Sequence, residues 1–249
     1  MLRSLPLAAL LGGLILSAAA QAVDVDPATY GYPITNPFEA TIATTPPQMR
    51  PLLPDEEDIK QSDYTLSLRP EREFTLPANF WAVKKLTYRM AKQDHPAPLM
   101  FLIAGTGAAY DSSLNEYLKK LFYQEGYHVV QLSSPTSYDF MSAASRLATP
   151  GISQYDAEDL YHVMQAVRAQ QANVPVTDYY LAGYSLGALD AAFVSHLDET
   201  RKSFNFKKVL MLNPPVNLFT SISNLDKLVQ TEVKGCLLYT SDAADDGES

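Results

Sequence analysis

The 249-residue sequence predicts an α/β fold with a mostly parallel sheet and helices on both faces. One observation is a continuous apolar run at residues 99–104, which is typical of a strand buried on both sides within a parallel sheet. Another is the alternation of strand-like and helix-like segments from there to residue 212, which favours right-handed crossovers onto one sheet. The composition, 47% hydrophobic and 19% charged, is that of a globular domain with a sizeable core.

The first 22 residues have the pattern of a signal peptide. Arg3 precedes an apolar stretch from Leu5 to Leu16, and small residues between Ala20 and Ala22 offer a cleavage site. An uncleaved membrane anchor is the alternative, but the apolar stretch is short for a bilayer span. We therefore expect cleavage and an exported protein, either periplasmic or secreted.

Residues 23–62 are rich in proline and show no sustained period, so they predict an extended N-terminal arm. Such a segment cannot pair as a central strand, and contact with a partner protein is one role that it can serve. A single α/β domain is predicted to follow at residues 63–235.

Within residues 63–235, hydrophobic periodicity and breaks at Gly and Pro predict the strands and helices in chain order. The predicted strands are at 64–68, 81–90, 99–104, 128–132, 178–182 and 208–212. Predicted helices begin at Ser113, Asp156, Leu186 and near Ser223, and a polar loop is predicted at 133–153.

The motif Gly183-Tyr184-Ser185-Leu186-Gly187 lies where a strand passes into an Ala-rich helix. A sharp strand-to-helix turn of this type exposes a serine hydroxyl above the sheet, and it needs small residues where the two backbones approach. Ser185 is therefore the candidate nucleophile. The backbone N–H of Leu186, at the start of the helix, is a candidate donor to a developing oxyanion.

A second loop, Gly105-Thr106-Gly107, follows the buried strand at 99–104. A phosphate-binding turn is the rival interpretation, but no Lys follows Gly107 and the spacing differs from that of a Walker motif. Together the two motifs resemble the esterase and lipase part of the α/β-hydrolase family, over about residues 80–235. The resemblance implies a serine acyl-enzyme, a small-molecule acyl substrate and no cofactor. It also implies a second oxyanion donor at the N–H of Thr106 or Gly107, with Thr106 preferred, although Ala104 stands where the family often has His.

A catalytic acid and a histidine are not identified. In this family both follow the serine along the chain, and only His196 does so, ~16 Å further along the same helix. Residues 236–245 resemble the translation of a transposon-end adapter used in sequencing libraries. We therefore expect residues 236–249 to be non-native, the gene to be interrupted near Gly235, and the chain alone to be nearly inactive.

Other classes of function find little support in the sequence. The net charge of −9 argues against nucleic-acid binding. Cys236 is the only cysteine, and no His or carboxylate spacing suggests a metal site. Two alternatives stay open: a non-catalytic exported binding or scaffold protein on the same fold, and an acyltransferase that uses the same residues.

Overall fold

A computed structural model describes residues 45–68 and 83–230, with isolated positions at 33, 34, 36, 39, 43, 75 and 78. The predicted signal peptide, the adapter-like tail and most of the proline-rich arm lie outside these residues. The chain divides into two compact units, Met1–Pro51 and Leu52–Ser249. In the first unit, a 3₁₀ turn spans Pro47–Met49, and Arg50 Nε donates to the Thr45 carbonyl at 2.6 Å.

In the second unit the described residues form a six-stranded sheet in the order β1-β2-β4-β3-β5-β6. The strands are β1 (Gln61–Leu66), β2 (Leu86–Ala91), β3 (Ala97–Ile103), β4 (His128–Leu132), β5 (Val176–Tyr184) and β6 (Val209–Leu212). The pairings of β1 with β2 and of β2 with β4 are antiparallel, and those that join β4, β3, β5 and β6 are parallel. The predicted mostly parallel sheet is confirmed.

Five helices accompany this sheet among the described residues: α1 (Ser113–Gln124), α2 (Tyr138–Ala143), α3 (Ser153–Gln170), α4 (Leu186–Arg201) and α5 (Leu218–Gln230). Helix α2 lies within the segment predicted as a polar loop, so that prediction is wrong in part. Six residues are too few to show a helical period in the sequence, and the fully buried Phe140 is what holds the helix against the core.

Alternate residues of β3 separate two hydrophobic clusters, one on each face of the sheet. Leu99, Phe101 and Ile103 belong to the cluster that also contains buried residues of α2, α3 and α4. Met100 and Leu102 belong to the cluster that contains Leu118 of α1. This is the period-2 alternation of a strand covered on both faces, and helices on both faces were predicted.

The start of the second unit differs from the sequence-based boundary. Strand β1 begins at Gln61, and Ile59 before it is buried in the core. A 3₁₀ turn at Glu56–Asp58 precedes both. The arm predicted to reach residue 62 therefore ends earlier, because the prolines stop at Pro54 and the residues after it pack into the domain.

Strand β6 lies at one edge of the described sheet. Leu210 and Met211 are exposed there, and Phe219, Ile222 and Leu225 are exposed on α5, the next helix. Among the described helices, none is both long and apolar enough to cross a bilayer.

Candidate active site

Ser185 occupies the single position between the end of β5 at Tyr184 and the start of α4 at Leu186. Its backbone has φ 52° and ψ −126°, a region that non-glycine residues rarely adopt. Such a conformation costs on the order of 1–3 kcal/mol and persists only where the surroundings hold it. Ser185 is therefore forced into a sharp turn at the carboxyl end of a central strand.

Two glycines allow this turn because backbones pass very close to them. A Cβ placed on Gly183 would lie 2.1 Å from the carbonyl oxygen of Gly187. A Cβ on Gly187 would lie 2.4 Å from the carbonyl oxygens of both Ile103 and Ala104. No side chain fits at either distance, so strand β5, helix α4 and the end of β3 meet only with glycine at 183 and 187.

The backbone of Ser185 is hydrogen-bonded on both sides. Its N–H donates to the carbonyl of Leu212 on β6 at 2.9 Å, and its carbonyl accepts the N–H of Ala188 at 3.0 Å. The first bond ties Ser185 to the neighbouring strand, and the second begins helix α4. The side chain of Ser185 thus leaves the chain at a helix N-terminus, where the helix dipole favours negative charge.

The loop after β3 lies directly against this turn. A Cβ on Gly105 would lie 3.2 Å from Ser185 Cβ and 2.6 Å from Cε2 of Tyr184. The Tyr184 hydroxyl forms a hydrogen bond of 2.9 Å with Ser112 Oγ at the far end of the same loop. The structure therefore brings together the two motifs that the sequence singled out.

Three backbone amides near Ser185 differ in whether they have an acceptor. The N–H of Gly107 donates to Thr136 Oγ1 at 2.7 Å. The N–H groups of Thr106 and Leu186 have no acceptor among the described residues. Of the two amides that the sequence left open in this loop, the one at Thr106 remains available to a ligand.

Sequence reasoning missed two hydroxyls in the loop after β4. Thr136 Oγ1 accepts the Gly107 N–H. The Ser134 hydroxyl is hydrogen-bonded to the Thr136 hydroxyl at 2.7 Å and also accepts the Thr136 N–H at 3.2 Å. Residues 133–137 read Ser-Ser-Pro-Thr-Ser, which in sequence is an ordinary polar turn. Only the parallel pairing of β3 with β4 brings the two loops side by side.

None of the four histidines, all of which the structure describes, hydrogen-bonds to Ser185. His128 is buried level with Tyr179, about 20 Å before Ser185 along β5. Its Nδ1 accepts the Gln93 N–H and its Nε2 donates to the Pro175 carbonyl, while burial lowers its pKa. His196 is exposed and pairs with Glu199 Oε2 at 3.2 Å. The others, His95 in a turn before β3 and His162 on α3, are exposed.

The nearest carboxyl group along helix α4 is Asp190, which is 1% exposed. Neither of its carboxyl oxygens has a hydrogen-bond partner among the described residues. Burial, with a smaller contribution from the charge of Asp156, raises the pKa of Asp190 to about 8. Asp226, the other carboxyl considered from sequence, is exposed on α5, and nothing joins it to Ser185.

A large cavity lies away from Ser185. A cavity of about 860 Å³ is lined by Leu99, Val176 and Tyr179 at the amino ends of β3 and β5. It therefore lies at the end of the strands opposite to Ser185. Across the described residues, no group of three His, Cys, Asp or Glu side chains is arranged to hold a metal ion.

Solved structures share this arrangement of strands and helices. An esterase from Pyrococcus furiosus has 14% sequence identity and a TM-score of 0.52, and the match covers 76% of this chain and 62% of that one. The chain has the α/β-hydrolase fold. No protein-family model and no curated protein matches the sequence.

Two further esterase structures with this fold match more weakly. The hyperthermophilic esterase from the archaeon Pyrobaculum calidifontis has 17% identity and a TM-score of 0.46, over 66% of this chain and 46% of that one. Brefeldin A esterase, a bacterial homologue of human hormone-sensitive lipase, has 14% identity and a TM-score of 0.46, over 68% and 45%. The chain thus spans between 45% and 62% of the length of these three proteins.

Proposed function

We propose that this chain carries the nucleophile and oxyanion half of a serine hydrolase that cleaves an ester or a related acyl bond in a small molecule. Ser185 is the nucleophile, and the N–H groups of Leu186 and Thr106 are the oxyanion donors. The observation that carries the proposal is the backbone of Ser185, held at φ 52° and ψ −126° between a strand and a helix. Strain of this kind concentrates at functional sites.

The proposed chemistry follows from these groups. A base takes the proton of Ser185 Oγ as the oxygen attacks the acyl carbonyl, and the carbonyl oxygen becomes an oxyanion. Two N–H donors at a helix N-terminus stabilise that charge. Collapse expels the alcohol, which takes up the proton, and leaves an acyl-enzyme. Water then attacks the acyl-enzyme, releases the acid and restores Ser185.

No base that is hydrogen-bonded to Ser185, and no group that orients one, is found among the described residues. Since no described histidine reaches Ser185, we propose that both come from residues outside those described here. Oxyanion donors and binding alone leave a residual rate of ~10³–10⁴ over water. Because all four histidines of the sequence are among the described residues and none bonds to Ser185, residues 1–249 alone are expected to turn over an ester no faster than that.

A fluorophosphonate probe tests the nucleophile directly. The gene product extended beyond Gly235 is treated with the probe, and the modified peptide is identified by mass spectrometry. We expect one adduct on Ser185, and loss of both adduct and esterase activity in Ser185→Ala. Ser195→Ala, ten residues further along α4, is the matched control and keeps both. Absence of a Ser185 adduct, or full activity in Ser185→Ala, overturns the proposal and leaves the non-catalytic binding or scaffold protein.

The same residues can pass the acyl group to an alcohol in place of water. Product analysis with an added alcohol separates the two reactions. We propose hydrolysis as the main one, and a predominance of the new ester would assign an acyltransferase.

We also propose that the protein is exported, on the strength of the signal-peptide pattern in residues 1–22. Expression in a Gram-negative host with N-terminal sequencing of the periplasmic and extracellular material tests it. A mature N-terminus between Gln21 and Val23 is expected, since the small residues of the cleavage site lie just before these positions. Retention of uncleaved chain in the cytoplasm would contradict export.

A further inference from the structure

The loop that carries the proposed Thr106 donor is a tight turn. The Ala108 N–H donates to the Gly105 carbonyl at 3.0 Å, and Gly107, the third residue of the turn, has φ +68°. A positive φ at this position is the mark of a type II turn. The middle peptide of such a turn presents the Gly107 N–H on one side and the Thr106 carbonyl on the other, because the peptide is planar and trans.

Rotation of that middle peptide converts one turn type into the other and exchanges the two groups. A glycine at the third position permits either state, since it lacks the Cβ that would restrict φ. The turn therefore needs a contact from outside itself if it is to keep one orientation.

That contact comes from the neighbouring loop after β4. Thr136 Oγ1 accepts the Gly107 N–H at 2.7 Å. Thr136 is in turn held by the buried Ser134, whose hydroxyl lies 2.7 Å from Thr136 Oγ1 and also accepts the Thr136 N–H at 3.2 Å. The backbone N–H of Ser134 donates to the Ala108 carbonyl at 3.0 Å, and the Tyr110 N–H donates to Ser133 Oγ at 3.0 Å, so the two loops are joined at three points.

We propose that Thr136 is a positioning residue. By accepting the Gly107 N–H, its hydroxyl holds the middle peptide of the turn at residues 105–108 in one orientation, and this fixes the adjoining peptide whose Thr106 N–H is the donor for an oxyanion formed on Ser185. This inference rests on the proposed serine hydrolase. Thr136 itself acts only through the Gly107 peptide.

The expected signature is a loss of rate without a loss of fold. Gly107 is exposed, so water replaces the lost acceptor when the hydroxyl is removed, and the thermal unfolding midpoint should change little. Removal of one oxyanion donor lowers kcat by ~10²–10³-fold. A donor that is present but freed from one orientation should cost less, about 10- to 100-fold, with KM within about threefold.

The test compares Thr136→Val, which removes the hydroxyl at constant shape, with Thr136→Ser, which keeps it. Both are made in the gene product extended beyond Gly235, and kcat and KM are measured with a p-nitrophenyl ester. Thr136→Ala repeats the loss of the hydroxyl in case valine disturbs packing. Thr200→Val is the control, since it removes an exposed threonine hydroxyl that bonds to the Leu197 carbonyl on α4.

We expect Thr136→Val and Thr136→Ala to lose kcat, and Thr136→Ser and Thr200→Val to stay near the parent. Hydrogen exchange at the Gly107 amide should quicken in the first two variants alone. Unchanged kcat in Thr136→Val and Thr136→Ala overturns the inference, as does an equal loss in Thr136→Ser. The serine hydrolase itself is judged separately by the Ser185 adduct and by Ser185→Ala, so either proposal can fail without the other.

Discussion

Two buried ionisable side chains, on helices that cover opposite faces of the sheet, are accommodated in opposite ways. Lys119 on α1 is 0% exposed, and its ammonium group contacts Glu56 Oε1 at 2.8 Å, Gln61 Oε1 at 2.7 Å and Glu116. Asp190 on α4 is 1% exposed, and its carboxyl group has no partner among the described residues. Burial of a charge is costly unless it is paired or neutralised. Lys119 is paired, and a pKa of about 8 keeps Asp190 largely protonated at neutral pH.

The difference has a structural meaning. The partners of Lys119 come from its own helix and from residues 56–61, so the charge ties the start of the second unit to α1. Asp190 ties nothing together. Its stability contribution depends on a proton, and it lies five residues after Ser185, on the helix that begins directly after that serine.

The largest expected effect is the loss of the paired charge. Lys119→Met removes the buried cation that Glu116 and Glu56 share, leaving Glu116 with Arg89 at 2.9 Å and Glu56 with Lys120 at 3.5 Å. We expect the free energy of unfolding at pH 7 to fall by about 3–5 kcal/mol. Urea denaturation measures it. Lys120→Met is the control, because Lys120 is partly exposed and lies 3.5 Å from Glu56, so less than about 1 kcal/mol is expected. Equal losses in the two variants would show that the buried network has no special role.

Asp190→Asn should raise the free energy of unfolding, and the size of this gain should depend on pH. The folded-state pKa of Asp190, about 8, lies above the ordinary value of 3.8, so the folded protein binds this proton more tightly than the unfolded chain. Its stabilising effect is complete below about pH 4 and is lost as pH rises towards 8. Asparagine keeps the shape of the neutral acid, so the variant should be more stable than the parent by on the order of 3 kcal/mol at pH 6, and equal to it near pH 4.

A second aspartate on the same helix provides the control for this experiment. Asp198 is equally buried, but it accepts hydrogen bonds from the Tyr161 hydroxyl at 2.6 Å and from the N–H groups of Phe204 and Phe206. Asp198→Asn should therefore destabilise at pH 6. The groups facing Asp190 also include Asp156, whose pKa is raised by burial and by Asp159. A pH slope that persists in Asp190→Asn would assign the effect to Asp156.

The smallest expected effect comes from removing the charge of Glu56, one of the acidic partners of Lys119. Desolvation is outweighed by hydrogen bonds from Lys119 and Gln61, which lower the pKa of Glu56 from 4.5 to about 2. This contribution is present above pH 4.5 and is lost as pH falls through 2. Because nearly half of the Glu56 side chain is exposed, solvent screens it, and Glu56→Gln should cost only about 0.5–1 kcal/mol at pH 6. The deficit should vanish by pH 2 in unfolding measurements, and a deficit that persists there would point to packing instead.

The sequence predicted the parts of the molecule that depend on local pattern. The apolar run at 99–104 gave a strand buried on both faces, and the glycines around Ser185 gave the strand-to-helix turn. Spacing on α1 was less reliable. Leu114, Tyr117 and Leu118 recur there at helical spacing, a pattern typical of one buried face. Leu114 and Tyr117 are nevertheless more than 40% exposed, while Lys119 is fully buried. The acceptors of Lys119 at Glu56 and Gln61 lie some sixty residues earlier in the chain, and no helical period reports them.

For the candidate site too, the sequence predicted what depends on local pattern and missed what depends on tertiary contacts. The two motifs could be paired because both follow parallel strands, whose carboxyl ends meet at one edge. Thr136 could not be found, since its role depends on the register that sets β4 beside β3. The unpaired state of Asp190 was equally invisible, because a carboxyl on a helix is ordinarily solvated.

The hydrogen bond from the Ser185 N–H to the Leu212 carbonyl ties Ser185 to β6, the strand at one edge of the described sheet. Strand ends at a sheet edge open more often than central strands do. The exchange of this one amide proton with deuterium would therefore time the fraying of β6. It would report, in solution, the fraction of time for which Ser185 keeps the orientation that this hydrogen bond imposes.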